Sequence, residues 1–91
     1  WCASKDVDIY SLSFGSRGFD SFCNEDFTAQ KVNDIALTGK FIFASTGNSG
    51  MNSIHSPACA GLAIPIASSG KENNLSIFSN IFYNYWLFCN T

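Results

Sequence analysis

The stretch GKFIFASTGNSG, residues 39–50, decides the fold class of this 91-residue chain. Its apolar run FIFA is typical of a buried β-strand, and small residues and glycines follow it with a single amide side chain, Asn48, among them. Gly39, just before the run, stands where a helix commonly ends in a left-handed cap. The stretch therefore predicts the end of a helix, a buried strand, and a loop in which Asn48 is either part of an ordinary turn or holds its carboxamide out to donate a hydrogen bond.

The residues upstream predict a helix over 24–38. Asn24 is a candidate N-cap, and Glu25 and Asp26 would then lie in the first turn, where negative charge is favourable at the positive end of the helix dipole. A helical spacing of i, i+4, i+7 and i+8 places one set of residues on a single face: Thr28, Val32, Ile35 and Ala36.

Two further stretches predict buried strands, DVDIYSLSF at 6–14 and GLAIPIAS at 61–68. Together with KFIFAST at 40–46, they give the order strand, helix, strand, strand, for which a parallel βαβ arrangement is the default. The fold class is therefore α/β, and the loops that follow the first two strands should lie at the carboxyl edge of the sheet, where ligands bind. Pro65 is unexpected within a strand, because it removes a ladder donor and belongs at an edge or a bulge.

Composition excludes several classes of partner. The chain is 46% hydrophobic and only 13% charged, which is more apolar material than a small domain can cover, so we expect a piece of a larger domain. A net charge of -2 with only 5 Lys and Arg predicts no nucleic-acid partner. The longest apolar stretch, IFYNYWLF at 81–88, is much shorter than the roughly 18 residues of a membrane span, so no membrane partner is expected.

The 4 cysteines contain no C-x-x-C pair, and the sequence predicts neither a metal site nor a cofactor. Disulfides in a secreted protein are one alternative and free buried thiols are the other, and the sequence itself does not choose among the connectivities. No signal peptide is recognisable, so localisation stays open.

Four segments in order resemble a known family. DIYSLSFGS, GKFIFASTGNSG, SPA at 56–58 and FSN at 78–80, with a helix between the first two, look like the central part of a subtilisin-like serine protease (subtilase) catalytic domain. The resemblance covers residues 7–80 and implies a fragment of a three-layer α/β/α domain, of which this chain would hold part of the parallel sheet. Residues 1–80 would be the partial peptidase domain and 81–91, which resemble nothing in the family, a divergent tail.

The resemblance also implies roles for particular residues. Asn48 matches the family's oxyanion-hole asparagine, whose amide donates to the developing oxyanion of the transition state. Two other groups match the family's substrate-binding segments. The segment that pairs with the substrate backbone is matched by Ser13, Phe14 and Gly15. The wall of the pocket for the residue before the cut is matched by Ala44, Ser45, Thr46 and Gly47. Phe14 replaces a residue that is more usually Leu, which would reshape an apolar subsite.

The resemblance implies a peptide or protein substrate in a complete protease, but this stretch of the family lies between the triad His and the triad Ser. No nucleophile-like turn follows Asn80, and His55 comes after Asn48, so family order makes it an ordinary loop residue. We therefore expect no peptide hydrolysis from this chain alone.

Two further expectations concern the loops. Secreted subtilases often carry disulfides in the loops that hold Cys23 and Cys59, so the resemblance implies a bridge between these residues and a secreted parent. The rival to the protease interpretation is a non-catalytic α/β binding module, in which the GSRG turn at 15–18 would bind a phosphate or another anion.

Overall fold

A computed structural model describes residues 1–16, 18–19, 21–50 and 52–81 and the backbone of 88–89. After a 3-10 turn at Cys2–Ser4, these residues form a parallel sheet, an α-helix and a short two-stranded ribbon. In chain order the elements are β1 (Ile9–Leu12), β2 (Gly18–Phe19), α1 (Phe27–Ala36), β3 (Phe41–Ser45), β4 (Ile54–His55), β5 (Ile64–Ser68) and β6 (Phe88–Cys89).

The main sheet has the strand order β1, β3, β5, β6, and each neighbouring pair is parallel. Ile9 of β1 is paired with Phe41 of β3, and Phe43 of β3 with Ile64 of β5. Helix α1 connects the first two of these strands, so the predicted α/β class and the parallel βαβ arrangement are confirmed. The antiparallel ribbon of β2 with β4 has no counterpart in the sequence prediction, because strands of two residues leave no periodic pattern.

Helix α1 begins later than predicted. Asp26 is the N-cap, and its carboxylate accepts a hydrogen bond from the backbone N–H of Ala29 at 3.3 Å. The prediction of Asn24 as cap was wrong, since its Oδ1 instead accepts from the backbone N–H of Gly61 at 2.8 Å. A residue distant in sequence, Gly61, therefore binds the Asn24 side chain that local capping preferences assign to the helix. The helix also ends earlier than predicted, at Ala36, and a turn over residues 37–39 follows, in which Gly39 has the expected positive φ of 90°.

The core lies between α1 and one face of the sheet. Small residues make this contact close: Ala29 is fully buried on the helix and Ala44 is buried on β3. The predicted helical face was right at Val32, whereas Thr28 is only half-buried. The buried apolar cluster consists of Cys23, Ala29, Val32, Ile42, Ala44, Ile54, Ala58, Cys59 and Ala60.

Large apolar side chains remain on the surface beside this small core. Ile9 is 61% exposed and Phe41 is 59% exposed, and both lie on the first register pair of β1 and β3. An apolar groove of about 480 Å³ also runs between the start of the chain, β1 and α1, lined among others by Trp1, Tyr10 and Val32. The small helix covers only part of the apolar surface that the sequence carries.

Pro65 is buried inside β5, yet no ladder hydrogen bond to β3 is lost. The carbonyl of Ile66 accepts from the backbone N–H of Thr46 at 3.0 Å, so the backbone hydrogen-bonding groups of Ile66 point towards β3. Along a parallel strand, the backbone groups of successive residues bond alternately to the two neighbouring strands. The backbone of Pro65 therefore faces away from β3, where its missing N–H breaks no bond to that strand. On that side the described pairing with β6 involves Ala67 and Ser68, so the ladder with β3 is intact although a proline lies within the strand.

None of the helices that the structure describes is long and apolar enough to cross a membrane.

Candidate functional site

The predicted site residues converge on one edge of the sheet. Strands β1, β3 and β5 are parallel, so their carboxyl ends meet at the same edge. The segment Ser13 to Gly15 follows β1 at this edge, and residues 46–50 follow β3. We call residues 46–50 the amide loop. Its position is the one at which open α/β sheets bind ligands.

The conformation of the amide loop depends on Gly47. Its φ is 119°, a region that side chains rarely adopt. A Cβ at this position would lie 2.7 Å from Nδ2 of Asn80 and 2.9 Å from the imidazole of His55. Both the backbone angle and the close neighbours therefore require glycine here.

Residues 78–80, which we call the anchor segment, hold the amide loop on both sides of Asn48. Before Asn48, the Thr46 hydroxyl donates to the carbonyl of Asn80 at 2.8 Å, and the backbone N–H of Asn80 donates to the carbonyl of Gly47 at 3.0 Å. After it, the backbone N–H of Ser49 donates to Oδ1 of Asn80 at 2.8 Å. The N–H of Gly50 adds a bond of 2.7 Å to the carbonyl of residue 78. The loop is thus fixed at four of its five residues.

Asn48 is the residue of the loop that these bonds leave available. Its side chain is exposed, and among the residues that the structure describes it makes no hydrogen bond. It borders a cavity of about 260 Å³ that extends along the end of β5. The residues lining this cavity are Ser45, Thr46, Gly47, Asn48, Ile66, Ala67, Ser68 and Ser79. A carboxamide placed this way can donate to an oxygen atom that enters the cavity.

A second, smaller cavity of about 120 Å³ lies between the ends of β1 and β3. Ser13 and Ala44 both line it, and Ser45 lines this cavity and the larger one. Most of the predicted substrate-binding residues are therefore neighbours. Phe14 differs, since its side chain is 58% exposed and lines the apolar groove beside α1.

His55 was predicted to be an ordinary loop residue, but it lies in β4 and packs close to two loops at this edge of the sheet. A Cβ on Gly15 would lie 3.0 Å from Cβ of His55, and a Cβ on Gly47 would meet its imidazole. The backbone N–H of His55 also donates to the carbonyl of Thr46 at 2.9 Å. His55 thus lies between the loops that follow β1 and β3. Its sequence signal was absent because its position depends on the unpredicted ribbon of β2 and β4.

The loop over residues 56–62, which we call the bridge loop, is fixed differently. A disulfide joins Cys23 to Cys59 with a Cα to Cα distance of 5.3 Å, and the backbone N–H of Cys23 donates to the carbonyl of Cys59 at 3.0 Å. The hydroxyl of Ser56 donates to the carboxylate of Asp26, which ties the loop to the N-cap of α1. Cys2 is a free, exposed cysteine.

The geometry gives no support to an anion site at residues 15–18. Gly18 lies in β2 and pairs with His55, while α1 begins only at Phe27, so the turn does not open a helix. Arg17 lies outside the described residues. The part of the chain that the structure describes also holds no group of three or more His, Cys, Asp or Glu side chains that could bind a metal.

Comparison with known proteins gives one consistent result. The model of the family described as Subtilase family matches residues 1–87. Alkaline elastase YaB of Bacillus sp. (strain YaB) is 28% identical to the chain over 79 residues, which are 87% of this chain and 20% of the elastase. The chain thus spans about a fifth of the length of this relative.

Solved structures share the fold at lower identity. A protease from Pseudoalteromonas arctica PAMC 21717 superposes with a TM-score of 0.78 at 23% identity, over 96% of this chain and 25% of the protease. The psychrophilic subtilisin-like protease Apa1 from Pseudoalteromonas sp. AS-11 gives 0.73 at 21% identity, over 90% and 18%. The nisin leader peptidase NisP from Lactococcus lactis gives 0.72 at 18% identity, over 98% and 33%.

Proposed function

The chain belongs to the subtilase family, and from that premise we propose that it contributes the oxyanion hole and part of the substrate cleft to a serine endopeptidase. The oxyanion donor is the carboxamide of Asn48. Attack of a serine on a peptide carbonyl places negative charge on the carbonyl oxygen, and a donor aimed at that oxygen lowers the energy of the transition state more than that of the substrate.

The observation that carries this proposal is the exposure of Asn48 on a loop whose other residues are bonded. A donor stabilises a transition state best when it needs no reorganisation as charge develops. The anchor segment supplies that preorganisation, because bonds at Gly47 and at Ser49 restrict the backbone on either side. The 260 Å³ cavity beside Asn48 leaves space for the reacting groups.

The substrate would be a peptide or protein. Ser13, Phe14 and Gly15 would pair with its backbone as an added strand, a mode in which main-chain hydrogen bonds give affinity and neighbouring pockets give selectivity. The wall of the pocket for the residue before the cut would be Ala44 to Gly47.

Proton transfer and nucleophilic attack are assigned to other segments of the complete protease. A subtilase needs an Asp, a His and a Ser in that order along the chain, with the oxyanion asparagine between the last two. We assign none of these three to residues 1–91. The Cys23 to Cys59 disulfide supports a protease that folds in an oxidising compartment, as a secreted enzyme does.

The test is Asn48→Ala in the complete protease, with Asn48→Asp as a variant of nearly the same size. We expect the Ala variant to lower kcat by about 10²–10³, the range found for the equivalent donor of subtilisin, with little change in KM. The Asp variant should be at least as slow, because a carboxylate repels the oxyanion. Asn52→Ala, an exposed asparagine just beyond the loop, is the matched control and should leave kcat unchanged. An Asn48→Ala enzyme with normal kcat would refute the proposal.

A further inference from the structure

Asn80 has an unusual position for an amide side chain. It is completely buried, among the largest side chains with an exposed fraction below 2%. All three of its bonds to the amide loop use different atoms: its N–H to Gly47, its carbonyl from Thr46 and its side-chain Oδ1 from Ser49. Burial of a polar side chain is unfavourable unless hydrogen bonds compensate for it, and the bond that Oδ1 accepts here comes from the loop that carries Asn48.

We propose that Asn80 is a positioning residue for the oxyanion donor, acting through the backbone of Gly47 and Ser49. The inference rests on the proposed role of Asn48. Asn80 touches neither substrate nor reacting atoms in this assignment. It fixes the two peptide units that flank Asn48, so that the carboxamide leaves the loop in one direction.

The side-chain bond is the part of this arrangement that depends on the residue type. Any residue except proline could donate its backbone N–H to Gly47 and accept from Thr46, but only a side chain of this length and polarity can reach the N–H of Ser49. The bond closes the loop from the far side of Asn48, across 31 positions of sequence. Its loss would free the peptide between Asn48 and Ser49 to rotate, and a displacement of about 1 Å at a catalytic group can reduce the rate by roughly 10²-fold.

The first experiment measures kcat and KM for Asn80→Ala and Asn80→Asp in the complete protease, each alone and combined with Asn48→Ala. We expect Asn80→Ala to lower kcat at least about 10-fold with KM little changed, and Asn80→Asp, which keeps an acceptor oxygen in place, to recover most of that loss. In the Asn48→Ala background, Asn80→Ala should have no further effect beyond about twofold, because both changes remove the same donor. Should Asn80→Ala not fold, Asn80→Ser replaces it, since the Ser hydroxyl is too short for the Ser49 bond.

The second experiment follows hydrogen exchange at the Ser49 amide, which is a readout independent of catalysis. The exchange rate should rise in Asn80→Ala and stay slow in Asn80→Asp. Ser76→Ala is the matched control, because the Ser76 hydroxyl bonds the Ser68 hydroxyl at 2.9 Å and, among the residues that the structure describes, makes no hydrogen bond to the amide loop. It should change neither the Ser49 exchange rate nor kcat.

The outcomes separate this inference from the proposed function. If Asn48→Ala itself leaves kcat normal, the oxyanion assignment fails, and the catalytic role of Asn80 fails with it. If Asn48→Ala slows the enzyme but Asn80→Ala leaves kcat normal, only the positioning role is overturned. The same holds if the double variant loses kcat by the product of the two single losses. An unchanged exchange rate at Ser49 in Asn80→Ala would overturn it as well.

Discussion

The amide loop and the bridge loop lie close together but are fixed by different means. The bridge loop carries a disulfide and, in addition, side-chain bonds from the helix and the segment before it: Asn24 accepts from Gly61, and Asn33 accepts from the N–H of Leu62 at 2.9 Å. The amide loop has no covalent tie and is bonded to the anchor segment on both sides of one exposed side chain.

The difference shows what each loop contributes. In the bridge loop, residues 56–60 are all buried, so its bonds serve to attach the loop to the helix and to complete the core. In the amide loop, residues 48–50 are exposed, so its bonds fix a direction without covering the side chain. Changes in the bridge loop should therefore act on stability, and changes in the amide loop on turnover.

Removal of the disulfide should produce the largest stability effect. The double variant Cys23→Ala/Cys59→Ala opens a loop with a sequence separation of 36, and the chain-entropy model gives a loss of about 3 to 4 kcal/mol in the free energy of unfolding. Urea unfolding measures this change, and kcat of whatever folded protease remains should be normal. Reduction of the wild-type protein with a thiol reagent should lower the midpoint to the same value. A loss below about 1 kcal/mol would show that the side-chain bonds alone hold the bridge loop.

Gly47→Ala should come next, and Gly39→Ala is its matched control. Both glycines have positive φ, but nothing lies within 4 Å of a Cβ at Gly39, whereas a Cβ at Gly47 would collide with Asn80 and His55. Gly39→Ala should therefore cost about 1 to 2 kcal/mol of unfolding free energy, from backbone strain alone. Gly47→Ala should cost more, because the neighbours must also move, and should lower kcat of the protease.

Equal losses in the two glycine variants, with normal kcat in both, would contradict the tight packing of the amide loop against Asn80. Turnover would then not depend on the backbone position of the amide loop, and the proposed difference between the two loops would be wrong.

The parts of the molecule that have a local sequence pattern were predictable. The strands at 9–12, 41–45 and 64–68 each lie within a predicted apolar run, because burial on a sheet selects β-branched and aromatic residues over consecutive positions. The amide loop was also predictable, since small residues and glycines around one asparagine are an unusual way to continue a buried strand.

The parts that the sequence did not predict depend on long-range partners. Asn24 has the local features of an N-cap, but the N–H of Gly61 competes for its side chain and Asp26 caps the helix instead. The same holds for His55, whose neighbours Gly15 and Gly47 lie on loops that only the folded sheet brings together. The role of Asn80 is equally invisible in sequence, because nothing in FSN at 78–80 indicates which loop it will contact.

The smallest effect is expected at Asn24, and it tests the comparison most directly. Asn24→Ala removes the acceptor for the N–H of Gly61 and for the side-chain amide of Asn33, which donates to Asn24 Oδ1 at 2.9 Å. Both bonds are exposed, so each contributes about 0.5 kcal/mol, and the free energy of unfolding should fall by about 1 kcal/mol in total while kcat stays normal. Asn74→Ala, an exposed asparagine away from both loops, should change stability by less than about 0.5 kcal/mol. A lower kcat in Asn24→Ala would mean that the bridge loop also orients the amide loop, through His55, which precedes the bridge loop and donates its backbone N–H to the carbonyl of Thr46 at 2.9 Å.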